Sequence, residues 1–127
     1  MHEAAFIDAF IEPSRRDRWH TLLGGKRRRT LLERLCGSQD FDPARLVQVA
    51  KPDQTPEGVL ALLCRHGAPA DCYLIALDAD LDAKTRPLDE ALRELVGHCN
   101  PVVILCIPGR LGYFENELGD RYLLRHA

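Results

Sequence analysis

The chain has 127 residues, 17 Lys or Arg and 19 Asp or Glu, a formal charge of −2 and 46% hydrophobic residues. That length suits one domain able to bury roughly two-thirds of its unfolded surface, and the composition is globular, not disordered or fibrous. No apolar run approaches the ~18–20 residues of a membrane span, and the opening MHEAAFIDAFIEP has three acids and no Lys or Arg, unlike a secretory leader.

The five cysteines (Cys36, Cys64, Cys72, Cys99, Cys106) are odd in number and include no C-x-x-C pair, which disfavours a disulfide framework or a zinc ribbon. A reduced, cytoplasmic protein is expected, with Cys72 and Cys106 acting as small buried hydrophobes in their apolar runs. The net charge hides a polarised chain: −3 over residues 1–12, +6 over 13–36 and −5 over 37–127.

In chain order, residues 4–11 predict a short helix, though the pattern also fits a strand. Ser14 with Asp17 three residues on reads as an acidic capping box. The helix it opens carries Trp19, Leu22 and Leu23 and stops at Gly24-Gly25. A second helix from about Lys26 to Cys36 makes residues 13–36 a basic helical hairpin. Asp42-Pro43 predicts a capped short turn, and residues 46–50 (LVQVA) a strand. Thr55-Pro56-Glu57 combines a capping hydroxyl, a proline at the first position and an acid in the first turn; the helix closes at Gly67.

Residues 72–77 (CYLIAL) are a continuous apolar run. Leu88, Ala91, Leu92, Leu95 and Val96 form a helical stripe, and residues 101–107 (PVVILCI) are the most strand-like segment. The tail suits an antiparallel hairpin about Leu118-Gly119-Asp120. Unbroken apolar strands separated by amphipathic helices are the pattern of a buried parallel sheet. The expected fold is therefore a single α/β domain over 1–127. Residues 42–127 would form a right-handed parallel βαβαβ core, with an N-terminal helical segment and a C-terminal β-hairpin.

In such a sheet ligands bind beyond the carboxyl ends of the strands. Three loops would open on that rim: Lys51–Asp53, Asp78–Lys84 and Pro108–Gly112. Asp78 and Asp80, two apart on an extended segment, would project together and hold one Mg²⁺, with Lys84, Arg86 and Arg110 meeting phosphates. An apolar strand running into D-x-D resembles the opening of the haloacid-dehalogenase phosphatases, where Asp78 and Asp80 would be nucleophile and acid–base. Only 47 residues follow Asp80, with no later acidic metal-binding loop, so that family is set aside. The strand, D-x-D, helix, strand order is also similar to the topoisomerase-primase domain. That domain needs an upstream Glu at a strand end; Glu12 precedes a proline and a helix instead. The chain is assigned to neither.

The basic segment, with Arg15, Arg16, Arg18, Arg27, Arg28 and Arg29 beside Trp19, would contact phosphate backbone, or else pair with acids of the same chain. Cys64, His66, His98 and Cys99 would converge at the opposite rim, in a spacing that matches no standard zinc module. No G-x-S-x-G, Walker loop or G-x-G-x-x-G occurs. The expected function is a non-catalytic binding module for a protein or nucleic-acid partner, off the membrane, and dimeric through the edge of the C-terminal hairpin. The alternative is divalent-metal phosphoryl transfer or nuclease chemistry at Asp78 and Asp80.

Overall fold

The computed structural model describes residues 2–126. Three N-terminal helices come first: α1 (His2–Phe10), α2 (Arg16–Leu23) and α3 (Arg28–Leu32). Then follow β1 (Leu46–Gln48), α4 (Pro56–Arg65), β2 (Asp71–Ala76), β3 (Lys84–Pro87), α5 (Leu88–Leu95), β4 (Val102–Ile107), β5 (Leu111–Glu115) and β6 (Arg121–Arg125). Local signals act where expected at several caps. The Thr55 hydroxyl accepts from the Gly58 N–H at 3.0 Å, and Asp42 accepts from the Ala44 N–H at 3.0 Å. Ser14 does not cap; its hydroxyl donates to Glu12, and α2 begins at Arg16 after a 3-10 turn.

The strands form one six-stranded sheet in the order β1-β6-β5-β4-β2-β3, and every neighbouring pair is antiparallel. The parallel βαβαβ core expected from sequence is therefore incorrect. Two features explain the difference. The segment after β2 turns back as β3, a polar four-residue edge strand (Lys84, Thr85, Arg86, Pro87) that carries no apolar signature. And although α4 joins β1 to β2, and α5 joins β3 to β4, strands that run the same way in each case, those strands are not neighbours. β6, β5 and β4 lie between the first pair, and β2 lies between the second. The helical crossovers exist, but other strands are interleaved.

The apolar runs are explained by burial on both faces instead of by strand direction. Along β4, Val102, Ile104 and Cys106 face a core built with Val59 and Leu63 of α4 and Leu88, Leu92 and Leu95 of α5. Val103 and Leu105 face a second core with Phe6, Phe10, Trp19 and Leu35 of the N-terminal segment. A strand with no solvent face reads as uniformly apolar whichever way it runs. In the antiparallel C-terminal hairpin, Leu111 pairs with Arg125 and Glu115 with Arg121. The outer side of β6 is occupied by β1, so this edge, expected to carry a homodimer, is not open. The sheet ends instead in two short strands, one closed by Pro87, a form that resists edge-to-edge pairing. No helix among the described residues is long and apolar enough to cross a membrane.

Gly112 pairs with both Leu105 and Leu124 in the middle of the sheet, and a Cβ there would sit 2.8 Å from the Ile104 carbonyl oxygen. Backbone has little room to yield at such a position. Gly112→Ala is expected to lower unfolding stability by about 1–3 kcal/mol, measured by denaturant titration; an unchanged midpoint would contradict the packing described.

Candidate functional site

The antiparallel register separates the loops that a parallel sheet would gather. β2 ends beside the start of β4 (Ala76 pairs with Val102), so the acidic turn after β2 lies at one end of the sheet. The turn carrying Arg110 follows β4 and lies at the other end. Asp78 and Asp80 are thus not brought to Arg110. The acidic segment is also coiled and not extended: the Asp78 carbonyl accepts from the Leu81 and Asp82 N–H groups, and its carboxylate accepts from the Asp80 N–H at 2.9 Å. Among the described residues no three His, Cys, Asp or Glu side chains are disposed to share a metal ion. Lys84 is exposed on β3, and Arg86 pairs with Glu94 of α5 at 2.7 Å. Cys64 and His66 likewise lie at the opposite end of the sheet from His98 and Cys99, because α4 and α5 run in opposite directions.

Most of the basic segment is engaged within the chain. Arg28 donates to Glu3 through both terminal nitrogens at 2.8 Å and to Asp82 at 2.6 and 3.0 Å, while the Tyr73 hydroxyl donates to Glu3 at 2.5 Å. Asp82 also accepts from the Ala76 N–H, so this cluster fastens α1 and α3 to the turn after β2. Arg34 and Trp19 both donate to Asp40, whose side chain is only 5% exposed, and Arg15 lies 3.4 Å from the same carboxylate. Arg16 donates to the Ile11 carbonyl and Arg29 to that of Leu77. Arg18 and Arg27 have no such partner among the described residues.

A third internal carboxylate, Glu115, is fully buried. It accepts from the Gly97 and Cys99 N–H groups at 3.0 and 2.8 Å and from the Tyr113 hydroxyl at 2.7 Å, pinning the turn after α5. Its oxygens face inward on protein donors, which makes it a structural pin with no open coordination. The Cys72 and Cys106 thiols are buried, and burial pushes them up to about 11 and about 12. They are unreactive at neutral pH.

A different group of basic residues gathers at the other end of the sheet. Pro108-Gly109-Arg110 turns β4 into β5, with Gly109 at φ +69° and packed against Ala5 of α1. The Arg110 carbonyl accepts from the His126 N–H at 3.0 Å, which extends the β5–β6 ladder one step beyond Leu111 and Arg125. Cross-strand partners point to the same face. Ile107, Leu111 and Arg125 therefore form a row on the α4 side of the sheet. His66 reaches this corner from the end of α4, which Gly67 closes at φ +90° with its N–H on the Cys64 carbonyl. Cations are favoured at helix C-termini, which accounts for a histidine there.

These residues enclose an open groove of about 470 Å³ lined by His66, Ile107, Arg110, Leu111, Arg125 and His126. Its described lining has two arginines and two histidines and no carboxylate. Three other concavities among the described residues each include Glu12, Glu57 or Asp89. No ion pair joins Arg110 or Arg125 to a described residue. No family model, curated protein or solved structure matches this chain. The site is therefore argued from its own chemistry. Of its basic residues, sequence reasoning singled out Arg110 for anion contact and His66 for zinc, and it missed Arg125 and His126. The available signal was the alternation of β6, where Leu123 faces the core and Arg125, two residues on, must share that face.

The engaged carboxylates set an acid limit on the fold. Burial alone would raise the Asp40 carboxyl, but hydrogen bonds from Arg34 and Trp19 outweigh it and hold the group below its ordinary 3.8. Burial is likewise outweighed at Glu3, where bonds from Arg28 and Tyr73 hold the group below 4.5. A carboxyl depressed in the folded state stabilises fully above its unfolded value and loses that contribution as pH falls through the folded one. The thermal midpoint should therefore drop below about pH 4.5, and Asp40→Asn should make that drop shallower. Equal acid profiles for both proteins would show that Asp40 is not linked to folding. Asp40→Ala, which strands the buried Trp19 N–H, is expected to cost about 2–4 kcal/mol at neutral pH.

Proposed function

We propose that the chain is a non-catalytic binding module that recognises a compact anionic group on its partner, in the groove between the end of α4 and the β4–β5 turn. The observation that carries this is Arg110 and Arg125 lining one concavity with no neutralising acid among the described residues. Elsewhere Arg15, Arg28, Arg34, Arg86, Arg93 and Arg121 lie within 4 Å of a carboxylate. Guanidinium is a planar fork that matches carboxylate or phosphate oxygens, so two unpaired forks in a concave site favour an anion over a neutral ligand.

The engagement of residues 13–36 argues against an extended polyanion. Nucleic-acid affinity depends on many phosphate contacts, and three arginines of this segment are neutralised by Glu3, Glu12, Asp40 and Asp82. A volume of about 470 Å³ is in the range of small-ligand sites, which suits one charged group with its immediate surroundings.

The test is titration of the chain with a short acidic peptide and with a single-stranded oligonucleotide, each at two salt concentrations. Binding is expected to weaken with salt and to disappear in Arg110→Glu/Arg125→Glu. It should persist in Arg18→Glu/Arg27→Glu, which reverses exposed cations on the helical segment. Neither charge-reversed protein should differ from wild type by more than about 1 kcal/mol in stability. Loss of binding in the helical variant alone, or no binding of either probe at low salt, would sink the proposal.

A further inference from the structure

We infer that the group held in this groove is a phosphate monoester joined to an apolar body. The inference rests on the proposed anion-binding function and narrows its ligand. Three features of the groove support it. The first is charge: a carboxylate carries one negative charge and is satisfied by a single guanidinium fork, whereas a phosphate monoester carries close to two charges and three acceptor oxygens. Arg110, on the turn, and Arg125, at the end of β6, line the same groove, which offers its ligand two forks. His66 adds a ring nitrogen from the α4 side.

The second feature is the wall. Ile107, half-buried on the α4 face, gives the groove an apolar wall beside its arginines, and its cross-strand partner Leu111 is buried behind it. A bare inorganic ion would leave Ile107 uncovered. At about 470 Å³ the groove has room for a body beyond the phosphate itself.

The third feature is that the carbonyls at the end of α4 and the backbone of the Arg110 turn do not compete. The end of α4 would repel an anion if its carbonyls were bare, but the Leu63 carbonyl accepts from the His66 and Ala68 N–H groups, and that of Cys64 accepts from Gly67. The turn carrying Arg110 is set by its own 3.0 Å bond from the Arg110 N–H to the Ile107 carbonyl. Gly109 rests on Ala5. The cations are thus presented from a shaped backbone, which lowers the entropy of capture.

The experiment is an amide chemical-shift titration of the full chain at neutral pH with phenyl phosphate, benzoate and inorganic phosphate. Phenyl phosphate should move the amides of Arg110, Leu111, Arg125 and His126, with an apparent Kd about tenfold or more below that of benzoate and of inorganic phosphate. Arg125→Lys keeps the charge but loses the fork, and it should remove most of the preference over benzoate. Arg18→Ala should leave all three affinities unchanged. If benzoate binds as tightly as phenyl phosphate, the phosphate assignment falls while the anion-binding function stands. Inorganic phosphate binding as tightly as the ester would overturn the apolar body. If no probe moves the groove amides, both the inference and the function it rests on fall.

Discussion

β4 has no solvent face, and the rest of the architecture follows from that constraint. Its side chains alternate between two cores, so the sheet needs a helical layer on each side to keep Val102–Cys106 dry. Helices α4 and α5 supply one layer; α1, α2 and α3 supply the other. To cover the first face, α4 must cross from β1 at one edge over three strands to β2. Its end therefore arrives at the corner where β4 and β6 end and β5 begins. The groove lined by His66, Arg110 and Arg125 is the space left at that corner.

Charge is arranged around the same requirement. An N-terminal layer rich in arginine packs on an apolar sheet only if its charges find partners near the boundary. Asp40 takes donors from Trp19 and Arg34, and Arg28 bridges Glu3 and Asp82 across three elements. These pairs are worth little as isolated surface bridges, but partial burial and several converging hydrogen bonds make them costly to break. Glu115 does the same work at the other core, holding the turn after α5 from inside the sheet. What the chain does not neutralise is as informative as what it does. Arg110 and Arg125 line a concavity that has no carboxylate among its described residues.

Several elements were legible because their causes are local. Thr55-Pro56-Glu57 starts α4, Asp42 caps the turn before β1, and the stripe from Leu88 to Leu95 becomes the buried face of α5. The hairpin of β5 and β6 was also legible, since its turn residues lie beside its strands. β3 was not: an edge strand with three exposed residues in four has no apolar pattern to betray it. Missing it reversed the inferred direction of everything after β2, and with it the placement of Asp78, Asp80 and Arg110. For Arg28, read either as phosphate-contacting surface or as paired with acids of the same chain, the partners are 25 and 54 residues away in sequence, and only the fold identifies them.

The sequence by itself determined α4, α5, the apolar strands, the closing hairpin and the concentration of positive charge in residues 13–36. Each of these follows from capping, periodicity or composition within a few residues. Only the tertiary structure decided strand direction and order, since an apolar run reports burial on both faces and carries no direction. The same step decided which arginines are neutralised and which remain open. Pairing depends on distance in space, and the antiparallel interleaving of β6, β5 and β4 between β1 and β2 set those distances.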